Sequence, residues 1–179
     1  MATFNGTEGN DGISGTDAAD TINGFGGNDF LAGNNGDDSI VGGAGNDTIY
    51  GDGGSDWIEG GTGNDFVSGG SGQDSNVFRE YGAANADTIS TFSSDWDKIQ
   101  LSSAAFTQIG AAGEFARGDA RFYAAAGATG GHDADDRIIY NTSTGQLYYD
   151  ADGAGGADAQ LVATIQGAPT VAAPDLWVI

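Results

Sequence analysis

One aliphatic side chain recurs at every ninth position through the first part of the chain, at Ile13, Ile22, Leu31, Ile40, Ile49, Ile58 and Val67. In each unit it stands between two outward neighbours, as in Thr48-Ile49-Tyr50. Successive side chains of a strand point to opposite faces, so the pattern predicts a strand of three residues with one residue turned inward. A six-residue turn such as Gly42-Gly-Ala-Gly-Asn-Asp47 completes the nine. One such unit cannot cover its own apolar side, but two facing units can. That predicts a flattened coil of two units per turn, stacked at roughly 4.8 Å like any sheet. Asn76 stands where the next aliphatic residue is due, and this reading ends the repeat at Val77.

Two more ladders keep the same period. Asp occupies positions 11, 20, 29, 38, 47, 56, 65 and 74, and Gly occupies 6, 15, 24, 33, 42, 51, 60 and 69. A third ladder, Gly9, Gly27, Gly36, Gly45, Gly54, Gly63 and Gly72, fails only at Ala18. Stacking places Asp11, Asp29, Asp47 and Asp65 in one column and Asp20, Asp38, Asp56 and Asp74 in another. At about 4 Å two such charges repel by ~1 kcal/mol in bulk water and by several times more in a less polar setting. A hard divalent cation between rungs reverses that sign, and Gly-rich turns free main-chain carbonyls to complete its oxygen shell. Each column of four has three gaps, so about six ions are expected.

These residues resemble the RTX (repeats-in-toxin) family, whose calcium-binding nonapeptide reads Gly-Gly-x-Gly-x-Asp-x-aliphatic-x. The resemblance runs from Gly6 to Val77 and departs at Ala18, Ala19 and Asn76. It implies an all-β fold: a parallel β-roll with two repeats per coil, capped by a C-terminal β-rich region. It also implies a ligand set, in which the earlier turn gives its second and fourth carbonyls, the later turn its first and third, and each turn its Asp. On that pattern the ion between Asp11 and Asp29 takes Thr7, Gly9, Gly24 and Gly26. The ion between Asp29 and Asp47 takes Phe25, Gly27, Gly42 and Ala44, and the next takes Gly43, Gly45, Gly60 and Thr62. In the other column Gly33 and Asn35 serve Asp20 and Asp38, then Asn34, Gly36, Gly51 and Gly53 serve Asp38 and Asp56. The last gap, between Asp56 and Asp74, takes Asp52, Gly54, Gly69 and Ser71.

Past residue 77 the texture changes, dividing the chain into 1–77, the calcium-binding roll, and 78–179, the cap. Strands are expected at Asp87–Phe92, Lys98–Leu101, Arg137–Tyr140, Gln146–Tyr149 and Gln160–Ile165, with a hairpin across Asn141–Gly145. This half is similar to the C-terminal region of type I secreted RTX proteins. The ending Asp175-Leu-Trp-Val-Ile179 is similar to that family's uncleaved export signal, although a final core strand would read the same way. Asp150 to Asp158 form a second Gly and Asp cluster, readable as an extra cation site or as a solvated turn. Phe30, Tyr50 and Phe66 fall on one outer face and Trp57 on the other, where aromatic rings could stack on sugars or be covered by protein.

Charge narrows the function. The chain carries 26 acidic and 5 basic residues, a formal net charge of -21, with 33 Gly and no Cys. No base precedes Arg79. So acidic a surface repels phosphate backbones and anionic lipid, which excludes nucleic acid as a partner. Without Cys, disulfides and thiolate metal sites are excluded. No apolar run is long enough to span a membrane, and Met1–Asn10 lacks the basic and apolar regions of a cleaved signal peptide. No metalloprotease, nucleophile-elbow or phosphate-loop motif occurs, so catalysis is not expected. The expected function is an extracellular protein that folds on binding calcium, exported by a type I secretion apparatus, with a structural role or a polysaccharide or cell surface as its partner. The alternative is the calcium-binding and secretion module of a larger exported enzyme such as a metalloprotease, lipase or alginate epimerase.

Overall fold

The computed structural model describes residues 1–153 and 159–179. In chain order the first part forms β1 (Thr3–Asn5), β2 (Gly12–Ser14), β3 (Thr21–Gly26), β4 (Phe30–Ala32), β5 (Ser39–Ala44), β6 (Thr48–Gly53), β7 (Trp57–Thr62), β8 (Phe66–Ser71) and β9 (Ser75–Phe78). The rest adds β10 (Asp87–Thr91), β11 (Lys98–Leu101), β12 (Gly113–Glu114), β13 (Phe122–Ala125), β14 (Ile138–Asn141), β15 (Gln146–Tyr149), β16 (Gln160–Ile165) and β17 (Leu176–Val178). Alternate strands join alternate sheets. One sheet runs β1-β3-β5-β7-β9-β11-β17-β12 and the other β13-β14-β15-β16-β10-β8-β6-β4-β2. The fold is all-β, a parallel β-roll, and no helix among the described residues is long and apolar enough to cross a membrane.

Register carries the nonapeptide period directly into space. Ile22 lies beside Ile40 and Ile40 beside Ile58 in one sheet, while Leu31, Ile49 and Val67 align in the other. These side chains form one buried cluster between the sheets, with Phe4 and Ile13 partly buried at its open end. Several strands are longer than the three residues expected, with β3, β5, β6, β7 and β8 each 6 residues long. The extra length comes from the turns. Each turn stacks on its neighbour at strand spacing, so Gly43 pairs with Gly61 and Ala44 with Thr62, and the ladder continues around the corner.

Asn76 does not end the roll. It sits between Ile58 and Ile99 in the inward row, 2% exposed, and both side-chain polar atoms lack a partner. Ile89 and Ile99 then resume the aliphatic series, Ile89 beside Val67. The sheets thus run on through β10 and β11, although the apolar core divides near Phe78 into the narrow repeat column and a larger cap cluster. That cluster includes Phe106, Phe115, Tyr140, Tyr149 and Val178.

In the cap, β14 and β15 form the antiparallel hairpin, and Gly145 takes the positive φ that closes its turn. Sequence reading did not anticipate β12 or β13, which are short and carry little alternation. The C-terminal β17 is an interior strand, parallel to β11 on one side and antiparallel to β12 on the other.

Truncating the inward row tests this packing. Ile49 is 0% exposed. Ile49→Ala should destabilise the calcium-loaded roll by about 2–5 kcal/mol, read from thermal unfolding at saturating calcium. An unchanged melting temperature would contradict the inward placement.

Candidate metal centre

The Asp ladder is built by the turns and joined by one repeated hydrogen bond. The main-chain N–H of each Asp donates to Oδ1 of the Asp on the next coil: Asp11 to Asp29 at 2.8 Å, Asp29 to Asp47 at 2.8 Å and Asp47 to Asp65 at 2.8 Å. Asp20, Asp38 and Asp56 do the same toward Asp38, Asp56 and Asp74, at 2.7, 2.8 and 3.0 Å. Asp20, Asp29, Asp38, Asp47, Asp56, Asp65 and Asp74 are all buried.

Two rungs lie outside the repeat. Asp65 donates to Asp87 Oδ1 and Asp74 to Asp97 Oδ1, each at 3.0 Å, across 22 and 23 residues rather than 18. Sequence reading passed over both, because insertions break the period of nine. A signal existed for Asp87, with Gly82 five residues before it and Ile89 two after it. Asp97 offered only Ile99. A further ladder, also unanticipated, pins the outer edge of the turns: Asn28, Asn46, Asn64 and Ala86 donate their N–H groups to the side chains of Asn10, Asn28, Asn46 and Asn64.

The other carboxylate oxygen separates the turns into two kinds. Oδ2 of Asp29, Asp38, Asp47, Asp56, Asp65 and Asp74 is buried with no hydrogen-bond partner. In the first two turns it is occupied instead. Asp11 Oδ2 accepts the Thr7 N–H at 2.6 Å and the Thr7 hydroxyl at 2.8 Å, and Asp20 Oδ2 accepts the same two groups of Thr16 at 2.8 and 2.6 Å. The cause lies in the second turn position. Phe25, Asn34, Asp52, Gly43, Gly61 and Gly70 adopt positive φ there, whereas Thr7 and Thr16 do not. A β-branched residue is a strained occupant of that region, so these two turns swing their N–H groups onto their own Asp.

Beside four of the six partnerless oxygens, those of Asp29, Asp38, Asp47 and Asp56, stands a carbonyl of the following coil. A Cβ added at Gly24, Gly33, Gly42 or Gly51 would collide with Oδ2 of Asp29, Asp38, Asp47 or Asp56, and also with the carbonyl of Gly42, Gly51, Gly60 or Gly69. Glycine therefore keeps open a small place bordered by two oxygens with no donor between them. Carbonyls of Ala44, Gly53, Thr62 and Ser71 accept N–H groups of Gly27, Gly36, Gly45 and Gly54, and each keeps a second lone pair. Of the other carbonyls named from the sequence, Thr7 accepts the Gly26 N–H and Asn34 the Gly53 N–H. Gly9, Asn35 and Ala44 lie in the same stacked turns. This is an oxygen-only set, buried, anionic and short of donors, and it fits a hard divalent cation such as calcium.

Electrostatics of the roll agree with that chemistry. Burial, reinforced by the stacked carboxylates, pushes Asp56 up to about 7, Asp65 to about 6 and Asp87 to about 8, and raises Asp38, Asp47 and Asp74. Asp20 moves the other way, held down chiefly by the Thr16 hydroxyl. Arg79, the first base in the chain, is engaged with Glu59 at 2.8 Å.

The Asp150 region offers less. Asp150 is buried, with Oδ2 accepting the Gly131 N–H and Oδ1 those of Asp152 and Gly153, which is the hydrogen bonding of a turn. Asp158 lies outside the described residues. Nearby, His132, Asp133 and Asp136 converge, and Asp136 Oδ2 accepts the N–H groups of the other two.

A carboxyl raised in the folded state binds its proton more tightly there than in the unfolded chain. Its stabilising contribution is complete below about pH 4 and lost as pH climbs through the raised values. Metal-free protein should therefore show more β circular dichroism at pH 5 than at pH 8, while calcium affinity should fall on acidification because the ligands must be deprotonated. A metal-free spectrum independent of pH would contradict the buried ladder.

Known proteins share this outline. A model of the RTX calcium-binding nonapeptide repeat, of 4 copies, matches residues 5–40, 32–67 and 41–75. No curated protein matches the chain significantly. Among solved structures, the solution structure of the AlgE6R3 subunit from the Azotobacter vinelandii mannuronan C5-epimerase superposes with a TM-score of 0.53. It is 21% identical, over 96% of this chain and 79% of that one. At that identity the likeness concerns the fold alone. The stacked turns of residues 5–75 thus match the RTX calcium-binding nonapeptide repeat.

Proposed function

We propose that this chain is an exported protein whose roll folds when calcium binds outside the cell, and that it serves there as a structural or surface-binding element rather than a catalyst. The observation that carries this reading is the set of buried, partnerless Oδ2 atoms on six successive Asp residues. No basic side chain in the segment answers them, and one aliphatic side chain per nine residues is little apolar burial for a Gly-rich chain. Ions supply what the side chains do not. The proposed ligands are the ladder Asp residues with the turn carbonyls beside them, and bound calcium neutralises the columns and ties adjacent coils together. Extracellular modules bind calcium at ~10⁻⁴ to 10⁻³ M, above cytosolic levels, so the segment would stay unfolded until export.

The C-terminus is consistent with export before folding. Leu176 and Val178 are buried in β17, and Asp175 accepts the Ser94 hydroxyl at 2.6 Å and the Ala172 N–H at 2.8 Å. An exporter that reads Asp175–Ile179 must meet it in the unfolded chain. A second reading, a calcium-binding module of a larger exported enzyme, is favoured by the likeness to a subunit of an epimerase.

The outer face of the second sheet supports a binding role. Phe30, Tyr50 and Phe66 form a row with ring centroids 5.7 and 6.0 Å apart, and Phe30 is 51% exposed. Aromatic faces on a rigid sheet are platforms for sugar rings.

Calcium dependence is the first test. Chelation with EGTA should abolish the β circular dichroism of the roll, and Gly42→Ala, which places a methyl between Asp47 Oδ2 and the Gly60 carbonyl, should raise the calcium concentration needed to restore it. A spectrum unaltered by chelation sinks the reading. For the binding role, Phe30→Ala and Phe66→Ala should migrate faster than wild type in polysaccharide affinity electrophoresis, and equal mobility on every polysaccharide tried would remove it.

A further inference from the structure

The first coil carries two ladder Asp residues but neither of their Oδ2 atoms is among the partnerless ones. A Cβ added at Gly6 or Gly15 would lie 2.6 or 2.7 Å from the carbonyl of Gly24 or Gly33, so the carbonyl side of each place is laid out as in later turns. The carboxylate side is not. Those added carbons would lie 2.8 and 3.3 Å from Oδ2 of Asp11 and Asp20, farther than the same approach at Gly24, Gly33, Gly42 and Gly51. In these two turns alone the oxygen has drawn back, onto the N–H and hydroxyl of Thr7 or Thr16.

Two backbone positions produce the retreat. Besides the second turn residue, the fourth also differs: Gly27, Gly36, Gly45 and Gly54 take positive φ, whereas Gly9 and Ala18 do not. Gly9 and Ala18 instead donate their N–H groups to the hydroxyls of Thr7 and Thr16, at 3.1 and 3.3 Å. Each threonine oxygen therefore accepts from the fourth residue and donates to the Asp, which locks the turn shut. A carboxylate oxygen that accepts two donors turns hydrogens, not lone pairs, toward its surroundings. A cation arriving there would have to strip both donors and leave a main-chain N–H without a partner. The far end of one column repeats the device, since Asp97 Oδ2 accepts the N–H of Ser93, again four residues earlier, at 2.8 Å.

We infer that Thr7 and Thr16 bar the first gap of each column, so that Asp11–Asp29 and Asp20–Asp38 hold no cation and ion binding begins at Asp29 and Asp38. The first coil is then joined to the second by hydrogen bonds and strand pairing alone. Within the eight repeat units this leaves four filled gaps, Asp29–Asp47, Asp47–Asp65, Asp38–Asp56 and Asp56–Asp74, in place of the six that spacing predicts. The inference rests on the calcium reading of the roll and goes beyond it by naming the residues that decide which gaps are filled.

Native mass spectrometry of the calcium-loaded full chain counts the ions. Asp11→Asn and Asp20→Asn should keep the wild-type count, whereas Asp47→Asn should bind fewer. Thr7→Gly, whose fourth turn residue is already Gly9, should bind one calcium more than wild type. Thr16→Gly combined with Ala18→Gly should also gain one. An ion lost from Asp11→Asn or Asp20→Asn, or no gain in either threonine variant, overturns the inference and leaves the roll's own calcium binding standing. A wild type that binds no calcium overturns both.

Discussion

Columns of like charge, buried and stacked at strand spacing, are the constraint on which this molecule depends. Every other feature of the roll either creates that arrangement or accommodates it. The period of nine puts one Asp at the end of every turn, the parallel ladder brings it against the Asp two units on, and the glycines leave space beside it. A protein that wanted only a narrow solenoid could place neutral residues at these positions. Carboxylates whose second oxygen has no donor make sense when a cation is part of the fold.

Differences between turns arise from the same constraint. Thr7 and Thr16 cannot comfortably adopt the left-handed backbone taken by Phe25, Asn34 and Asp52, and their hydroxyls satisfy Asp11 and Asp20 instead. The N-terminal coil thereby closes its carboxylates with hydrogen bonds from its own chain and can end the column without an ion above it. At the other end Asp87 and Asp97 carry the ladder forward under a cap with a real apolar core. One end of the roll is finished by hydrogen bonding, the other by hydrophobic packing.

The cap closes the parallel sheets with its own strands. Among the described residues, β17 lies between β11 and β12 in one sheet, and β16 pairs β10 in the other, so the open edge of the roll is paired rather than left as a template for other chains. The same placement buries Asp175 and Val178, which makes the terminal residues structural in the folded state whatever they signal before it.

Much of this was legible in the sequence, because in a coil of fixed period sequence spacing is spatial spacing. Eight Asp, eight Gly and seven aliphatic residues at intervals of nine point to a stacked coil with an inward aliphatic row and acidic columns, and facing two units per turn gives the two parallel sheets that the pairing at intervals of 18 displays. Where the period breaks, that equivalence fails. Asn76 reads as a terminator but is one buried polar residue inside a continuing row, and Asp87 and Asp97 join the ladder only because insertions of the right length fold out of the way. Nor does spacing reveal which carboxylate oxygens are already occupied. That depends on the backbone angle of the second turn residue, which threonine and glycine take differently, and on how the cap meets the last coil. Those are matters of three-dimensional packing, decided by contacts between residues that no repeat brings together.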